Sequence, residues 1–287
     1  MGRRVRRAKG ALQTVKSKEL YPRIFSRHAA AYKARLDEIM ARQEARGRAR
    51  VIELLEVRPG MKVLDLACGP GTLSKPLAAL AAPGGEVVGV DLAEGMLALA
   101  REAGITNARF EVMDIERLTF GDATFDAVAC GHGLQFAPDL DRALGEARRV
   151  LRPGGRFAAS VPVSADDSPA WVLIDRIIDR WLPPAPKASD QSATRSTVND
   201  AGALEAAARG AGFAEAFVEA LEEKVRWDSA EDFVARCMSW WDLAARIDGV
   251  ADSRREAFRA EAITAMRQEF PGAIETSGRT HVLWAVA

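Results

Sequence analysis

The feature that most limits this fold is a regular alternation of strand and helix patterns across residues 62–161. Short strand-like runs occur at 62–67, 86–90, 108–112, 126–130 and 156–161, the fourth made of β-branched and small residues. Helical spacing of apolar residues occupies 72–80, 93–103 and 140–151. Strands joined by helices of that length predict right-handed crossovers, and hence a mostly parallel sheet with helices on both faces. Pro59-Gly60, Pro83-Gly84-Gly85 and Pro153-Gly154-Gly155 punctuate the pattern as turns.

The flanks read differently. Residues 1–20 form a basic tail with Arg3, Arg4, Arg6, Arg7, Lys9, Lys16 and Lys18. An export signal needs an apolar stretch after its basic part, and here Gly10-Ala11-Leu12 runs straight into Gln13 and Thr14. The tail therefore reads as a solvated arm. Residues 21–56 are helical in pattern, with one apolar stripe through Ile24, Phe25, Tyr32, Leu36, Ile39 and Met40. The repeat itself fills 57–162. Residues 163–287 supply the rest of the sheet together with insertions at 163–200 and 228–276. Within them, 183–199 reads as a polar, proline-rich loop, 201–209, 229–247 and 253–270 as helices, 213–227 as a long strand-like stretch, and 280–286 as a terminal strand.

Composition excludes several function classes. Lys plus Arg and Asp plus Glu both number 40, so the chain of 287 residues has no general attraction for polyanions. Only three cysteines, Cys68, Cys130 and Cys237, and three histidines, His28, His132 and His281, are present. Neither Cys-x-x-Cys nor His-Glu-x-x-His spacing occurs, so no protein-encoded metal site is expected. The scattered thiols invite comparison with arsenic chemistry, but Cys68 has a simpler role as a small filler beside the glycine loop. No apolar run reaches the length of a membrane span. A cytoplasmic protein, monomer or homodimer, is the expectation.

The chemistry concentrates in Val63-Leu64-Asp65-Leu66-Ala67-Cys68-Gly69-Pro70-Gly71-Thr72. A buried strand ends in Gly-x-Gly and a helix follows, which lets backbone approach a ligand closely and offers it unpaired N–H groups. Asp91 ends the second strand, where a carboxylate can accept two ribose hydroxyls. A nicotinamide fingerprint requires a third glycine where this chain has Ser74, and the Lys of a P-loop is absent. Asp65 precedes the glycines, and Asp114 follows the third strand. Three acids around one site suit a cationic ligand better than a pyrophosphate.

This arrangement resembles the class I S-adenosylmethionine-dependent methyltransferases, in the branch that includes ubiquinone- and menaquinone-biosynthesis and small-molecule natural-product methyltransferases. The resemblance rests on five ordered segments: VLDLACGPGT (63–72), VGVDLAEGMLALAR (88–101), EVMDIERLTF (111–120), FDAVACGHGLQFAPD (125–139) and ARRVLRPGGRF (147–157). It implies a Rossmann-like, doubly wound α/β sheet of seven strands with the last strand reversed, plus a helical N-terminal and inserted cap. It also implies S-adenosyl-L-methionine as cofactor, S-adenosyl-L-homocysteine as its product, and a small-molecule methyl acceptor.

Carried onto this chain, the resemblance assigns Ala67, Cys68, Gly69 and Gly71 to the methionine and ribose parts, with Asp65 beneath them and Asp91 on the ribose hydroxyls. Leu92 and Met96 would flank the adenine, and Asp114 and the Ile115 N–H would read its edge. Cys130, Gly131 and Gln135 would close over the sulfonium end, and Tyr32 would cap the cofactor. His132, at the mouth of the site, is the candidate general base, since an unperturbed imidazole titrates near neutrality. Phe233, Met238, Trp240 and Trp241 are the candidate acceptor pocket, with an apolar or aromatic acceptor such as a secondary metabolite or quinone expected. Two other readings remain at this point: a relative that binds the cofactor without transferring a methyl group, as a cyclase would, and an RNA or protein methyltransferase, which the neutral charge disfavours.

Overall fold

Successive residues of the first strand bury opposite faces, and this fixes the layers of the molecule. Val63 packs with Val51, Leu55, Leu77 and Ala81 on one side, while Leu64 and Leu66 pack with Leu144, Ala147, Val150 and Leu204 on the other. A strand buried on both faces can only be a central strand of a covered sheet. The computed structural model describes residues 15–163 and 168–287. Arg3, Arg4, Arg6, Arg7 and Lys9 of the basic tail lie outside the described residues.

Three helices come first: α1 (Ser17–Arg27), α2 (Ala29–Ala41) and α3 (Arg46–Leu55). The repeat follows as β1 (Lys62–Leu66), α4 (Ser74–Ala81), β2 (Glu86–Asp91), α5 (Glu94–Glu102), β3 (Ala108–Val112), β4 (Phe125–Gly131), a single 3-10 turn (Leu134–Phe136), α6 (Leu140–Val150) and β5 (Leu151–Val163). The remainder is α7 (Pro169–Trp181), α8 (Ser192–Asn199), α9 (Ala201–Gly210), β6 (Glu215–Trp227), α10 (Ala230–Cys237), α11 (Trp241–Ile247), α12 (Asp252–Glu269) and β7 (Ile274–Val286). The seven strands run in the order β3-β2-β1-β4-β5-β7-β6. β1 to β5 are parallel and β7 is antiparallel to both neighbours, which is the doubly wound sheet with a reversed last strand.

Several expectations are adjusted. β7 begins at Ile274 rather than 280, because its first residues pair with the far end of β6 beyond the reach of β5. That overhang seats a second core, in which Trp227 and Ile274 pack with α7, α10, α11 and α12. The stretch 183–199 is not all loop: α8 forms at its end and buries Thr194 and Val198. The helix expected over 229–247 is two helices, since Trp240 is extended and the Ser239 hydroxyl donates to the Arg236 carbonyl to close the first. α1 begins at Ser17, inside the stretch read as tail.

α1 lies against the start of α5. The Gly95 N–H donates to Ser26 Oγ at 3.1 Å, and a Cβ at Gly95 would meet the Ser26 carbonyl oxygen at 2.5 Å. That oxygen is backbone and cannot yield cheaply, so only glycine allows this approach. Gly95→Ala is expected to cost about 1–3 kcal/mol of stability by overpacking. It should also speed amide exchange across α1 more than across β1, and uniform exchange rates would contradict this docking.

Candidate functional site

The carboxyl ends of β1, β2, β3 and β4 open into one cavity. This is where an open α/β sheet binds its ligands. The far wall comes from one face of α1, through Ser17, Lys18, Tyr21, Pro22 and Phe25, with Tyr32 and Leu36 of α2 and Arg48 of α3.

The floor is the loop after β1. Ala67, Gly69 and Gly71 all have positive φ, at 50°, 55° and 81°. The Gly69 N–H donates to Asp91 Oδ2 at 2.9 Å and the Ala93 N–H to Asp91 Oδ1 at 2.8 Å. Asp91 thus ties the glycine loop to the start of α5. Burial raises its pKa, and the backbone N–H bonds of Ala93, Gly69 and Leu92 oppose that rise. Asp65 lies deeper, 1% exposed, and accepts from Ser74 Oγ at 2.6 Å. Desolvation pushes its carboxyl up to about 7. Among the described residues neither Asp65 nor Asp91 has an ion-pair partner.

Opposite them stand groups of the other polarity. Arg48 is 8% exposed, reaches the cavity wall, and makes no hydrogen bond or ion pair among the described residues. Thr72 Oγ1 and His132 Nε2 are buried without a partner in the same wall. His132 sits at φ 64°, pinned by its N–H to the Ser160 carbonyl at 2.9 Å. Burial, and then the charge on Arg48, hold its pKa well below the usual imidazole value. His132 is therefore neutral at pH 7, and its unpaired nitrogen is a weak base. At the β3 end, Lys18 Nζ bonds Asp114 Oδ2 at 2.6 Å and also Glu116 Oε2.

Of the residues expected from sequence, Tyr32, Asp65, Ala67, Cys68, Gly69 and Asp91 line this cavity, as do Leu92, Met96, Asp114, Ile115, Gly131 and His132. Gly71 is not in the wall; it shapes the turn, with Ala100 and Phe110 behind it. Cys130 falls outside as well. Strand alternation turns it into the core beneath α6, where burial pushes its thiol up to about 12. Gln135 also turns away, its Nε2 donating to the His132 carbonyl at 3.0 Å, so it braces the loop.

The four residues expected as the acceptor pocket do not line this cavity. Phe233 is fully buried in the second core, edge-on to Trp227, and Met238 packs on the same core. Trp240 stacks under the Arg35 guanidinium, 3.4 Å from its ring centroid. Burial lowers the Arg35 pKa to about 10. Only Trp241 approaches the site, backing Tyr21 and Phe136 from behind at 5.2 Å and 6.0 Å. The aromatic wall is instead Tyr21, Phe25 and Phe136. Phe136 sits in the quoted segment 125–139, and Tyr21 and Phe25 sit one helical turn apart, so this face was visible as spacing. Lys18, Arg48 and Thr72 gave no such signal.

A family model described as a methyltransferase domain matches residues 64–159. A nocamycin O-methyltransferase from Saccharothrix syringae is 32% identical over 259 residues, 84% of this chain and 88% of that protein. The chain belongs to the class I S-adenosylmethionine-dependent methyltransferases. A demethylmenaquinone methyltransferase from Symbiobacterium thermophilum is 36% identical over 156 residues, 51% of this chain and 62% of the relative. Among solved structures, the [4+2]-cyclase SpnF aligns with TM-score 0.55 at 19% identity, covering 96% of this chain and 98% of that one, a likeness of fold. No helix among the described residues is long and apolar enough to cross a membrane.

The Asp65 carboxyl carries a pH signature. Its pKa rises from 3.8 unfolded to about 7 folded. A raised acid favours folding when protonated, so its contribution is full below about pH 4 and fades as pH climbs through about 7. Asp65→Asn is therefore expected to gain melting temperature relative to the parent as pH rises from 5 to 7.5. A constant difference over that range would show that Asp65 does not titrate there.

Proposed function

We propose that this protein transfers the methyl group of S-adenosylmethionine to an apolar or aromatic small molecule of the secondary-metabolite or quinone-like kind. The observation that carries this reading is the pairing, in one cavity, of two acids lacking cations, Asp65 buried and Asp91 half-buried, with a buried arginine lacking an acid. A ligand holding both a cation and a carboxylate satisfies both sides, and a sulfonium amino acid is such a ligand.

The residues present fit the cofactor. Asp91 keeps lone pairs for the ribose hydroxyls, Leu92 and Met96 flank the adenine, and Asp114 and the Ile115 N–H meet its edge. The positive-φ backbone at Ala67 and Gly69, with Gly131, borders the methionine part above Asp65. Arg48 and Thr72 Oγ1 take the carboxylate, roles that motif spacing did not suggest. When bound, S-adenosylmethionine supplies a methyl group on a cationic sulfur whose departure leaves a neutral thioether.

The protein's part is then alignment and exclusion of water. Tyr21, Phe25 and Phe136 offer an acceptor flat apolar faces. Tyr32 closes over the cofactor. His132 is neutral, and its unpaired Nε2 is placed to hydrogen-bond an acceptor hydroxyl and orient it. The names of the relatives, a nocamycin O-methyltransferase and a demethylmenaquinone methyltransferase, support an acceptor of this class. A cyclase-type use of the cavity is the second reading, and a labelled-methyl assay separates the two.

With tritiated methyl donor and a panel of phenolic and enolic acceptors, label is expected in product, and His132→Ala should lower turnover at least tenfold while cofactor binding persists. Absence of label across acceptors that demonstrably bind would favour the second reading. Arg48→Met is expected to weaken S-adenosylhomocysteine at least tenfold and leave adenosine unchanged. Equal loss for both compounds would remove Arg48 from the carboxylate.

A further inference from the structure

We propose that Lys18 is a positioning residue that latches α1 over the adenine end of the cavity and makes cofactor binding and α1 docking mutually dependent. The inference rests on the cofactor reading above. It starts from four carboxylate oxygens, each with one donor. Asp114 Oδ1 accepts the Glu116 N–H at 2.9 Å and its Oδ2 accepts Lys18. Glu116 Oε1 accepts the Asp139 N–H at 2.9 Å and its Oε2 accepts Lys18. Two neighbouring carboxylates, one of them 7% exposed, therefore share a single cation, and that cation comes from α1.

Remove Lys18 and two acids face each other in a partly dry cavity, each with an oxygen unpaired. Their repulsion and desolvation would raise the cost of the surface that the adenine must meet. With Lys18 in place, Glu116 is neutralised and Asp114 is held in a fixed orientation, with lone pairs left for an amino group. The base and the helix thus meet on one carboxylate.

α1 is suited to a latch. Ser17, Lys18, Tyr21, Pro22 and Phe25 form one helical face over the cavity. Besides Lys18, its N-terminal end is held by the Ser17 N–H to Asp190 Oδ1 at 3.0 Å, the Tyr21 hydroxyl to Gln191 Oε1 at 2.7 Å, the Ser189 N–H to the Val15 carbonyl at 3.1 Å, and the packing of Leu20, Tyr21 and Ile24 on Phe136 and Trp241. A ligand entering beneath this face requires it to lift, and closure restores the Lys18 bonds.

The test uses the full-length protein with S-adenosylhomocysteine and adenosine as probes, read by calorimetry and by hydrogen exchange of residues 17–27. In the parent, S-adenosylhomocysteine should slow α1 exchange at least tenfold. In Lys18→Met, α1 should exchange at least tenfold faster without ligand, with exchange in β1 unchanged. Both probes should bind about tenfold more weakly, because the latch acts at the end they share. Lys18→Arg should return both readouts to within threefold. Binding of both probes within twofold of the parent, or unchanged α1 exchange, overturns the proposal, as does failure of the arginine to rescue. A parent that binds neither probe overturns the cofactor reading, and α1 exchange in ligand-free Lys18→Met then judges the latch by itself.

Discussion

Two acids without a counter-charge, at the ends of neighbouring strands, are the constraint on which the rest of this structure depends. Asp65 and Asp91 lie at the carboxyl ends of adjacent parallel strands; burial makes ionisation of Asp65 harder, and the nearby Asp91 carboxylate adds to that. The protein meets part of that cost with neutral donors: Ser74 on Asp65, and the Gly69 and Ala93 N–H groups on Asp91. Those donors explain the local chain. Gly69 needs its left-handed backbone to aim its N–H, and Ser74 stands where a nicotinamide-binding chain would carry glycine. What the donors leave uncompensated is an attraction for a cation inside the cavity.

The strand order converts that attraction into a shape. β3 and β4 lie three strand spacings apart, roughly 14 Å. Asp114 and Lys18 mark one end of that span, and His132 with Arg48 marks the other. An elongated ligand with a base at one end and a carboxylate at the other matches this length and polarity. The aromatic wall from α1 and the 3-10 turn covers the same rim, so the acceptor approaches from the side that the N-terminal helices control. The inserted helices α10 to α12 build a separate core on the β6–β7 overhang and stand behind that wall.

Most of the sheet was legible because its signals are local. Val63 to Leu66 and Ala127 to Cys130 are buried on both faces, so they read as apolar runs broken only by Asp65, and Asp91 and Asp114 mark the strand ends directly. Features set by distant contacts were not legible. Cys130 and Gln135 lie in the right segments, yet alternation and a bond to the His132 carbonyl turn them outward from the site. Phe233, Met238, Trp240 and Trp241 look like one apolar helix face, but the break at Ser239 sends them to different neighbours. Arg48 and Lys18 resemble any surface cations in a basic, helical stretch. Only the packing of α1 and α3 over the sheet reveals that one is unpaired in the cavity and the other is shared by two acids.

The most direct test of the central claim is calorimetric titration of the protein with S-adenosylhomocysteine, side by side with Asp91→Ala. The account predicts saturable one-to-one binding by the parent and at least a hundredfold weaker binding by the variant, which loses both the ribose acceptor and the tie to the Gly69 loop. No binding heat in the parent at any temperature between 10 and 35 °C, or equal affinity in the two proteins, would contradict it.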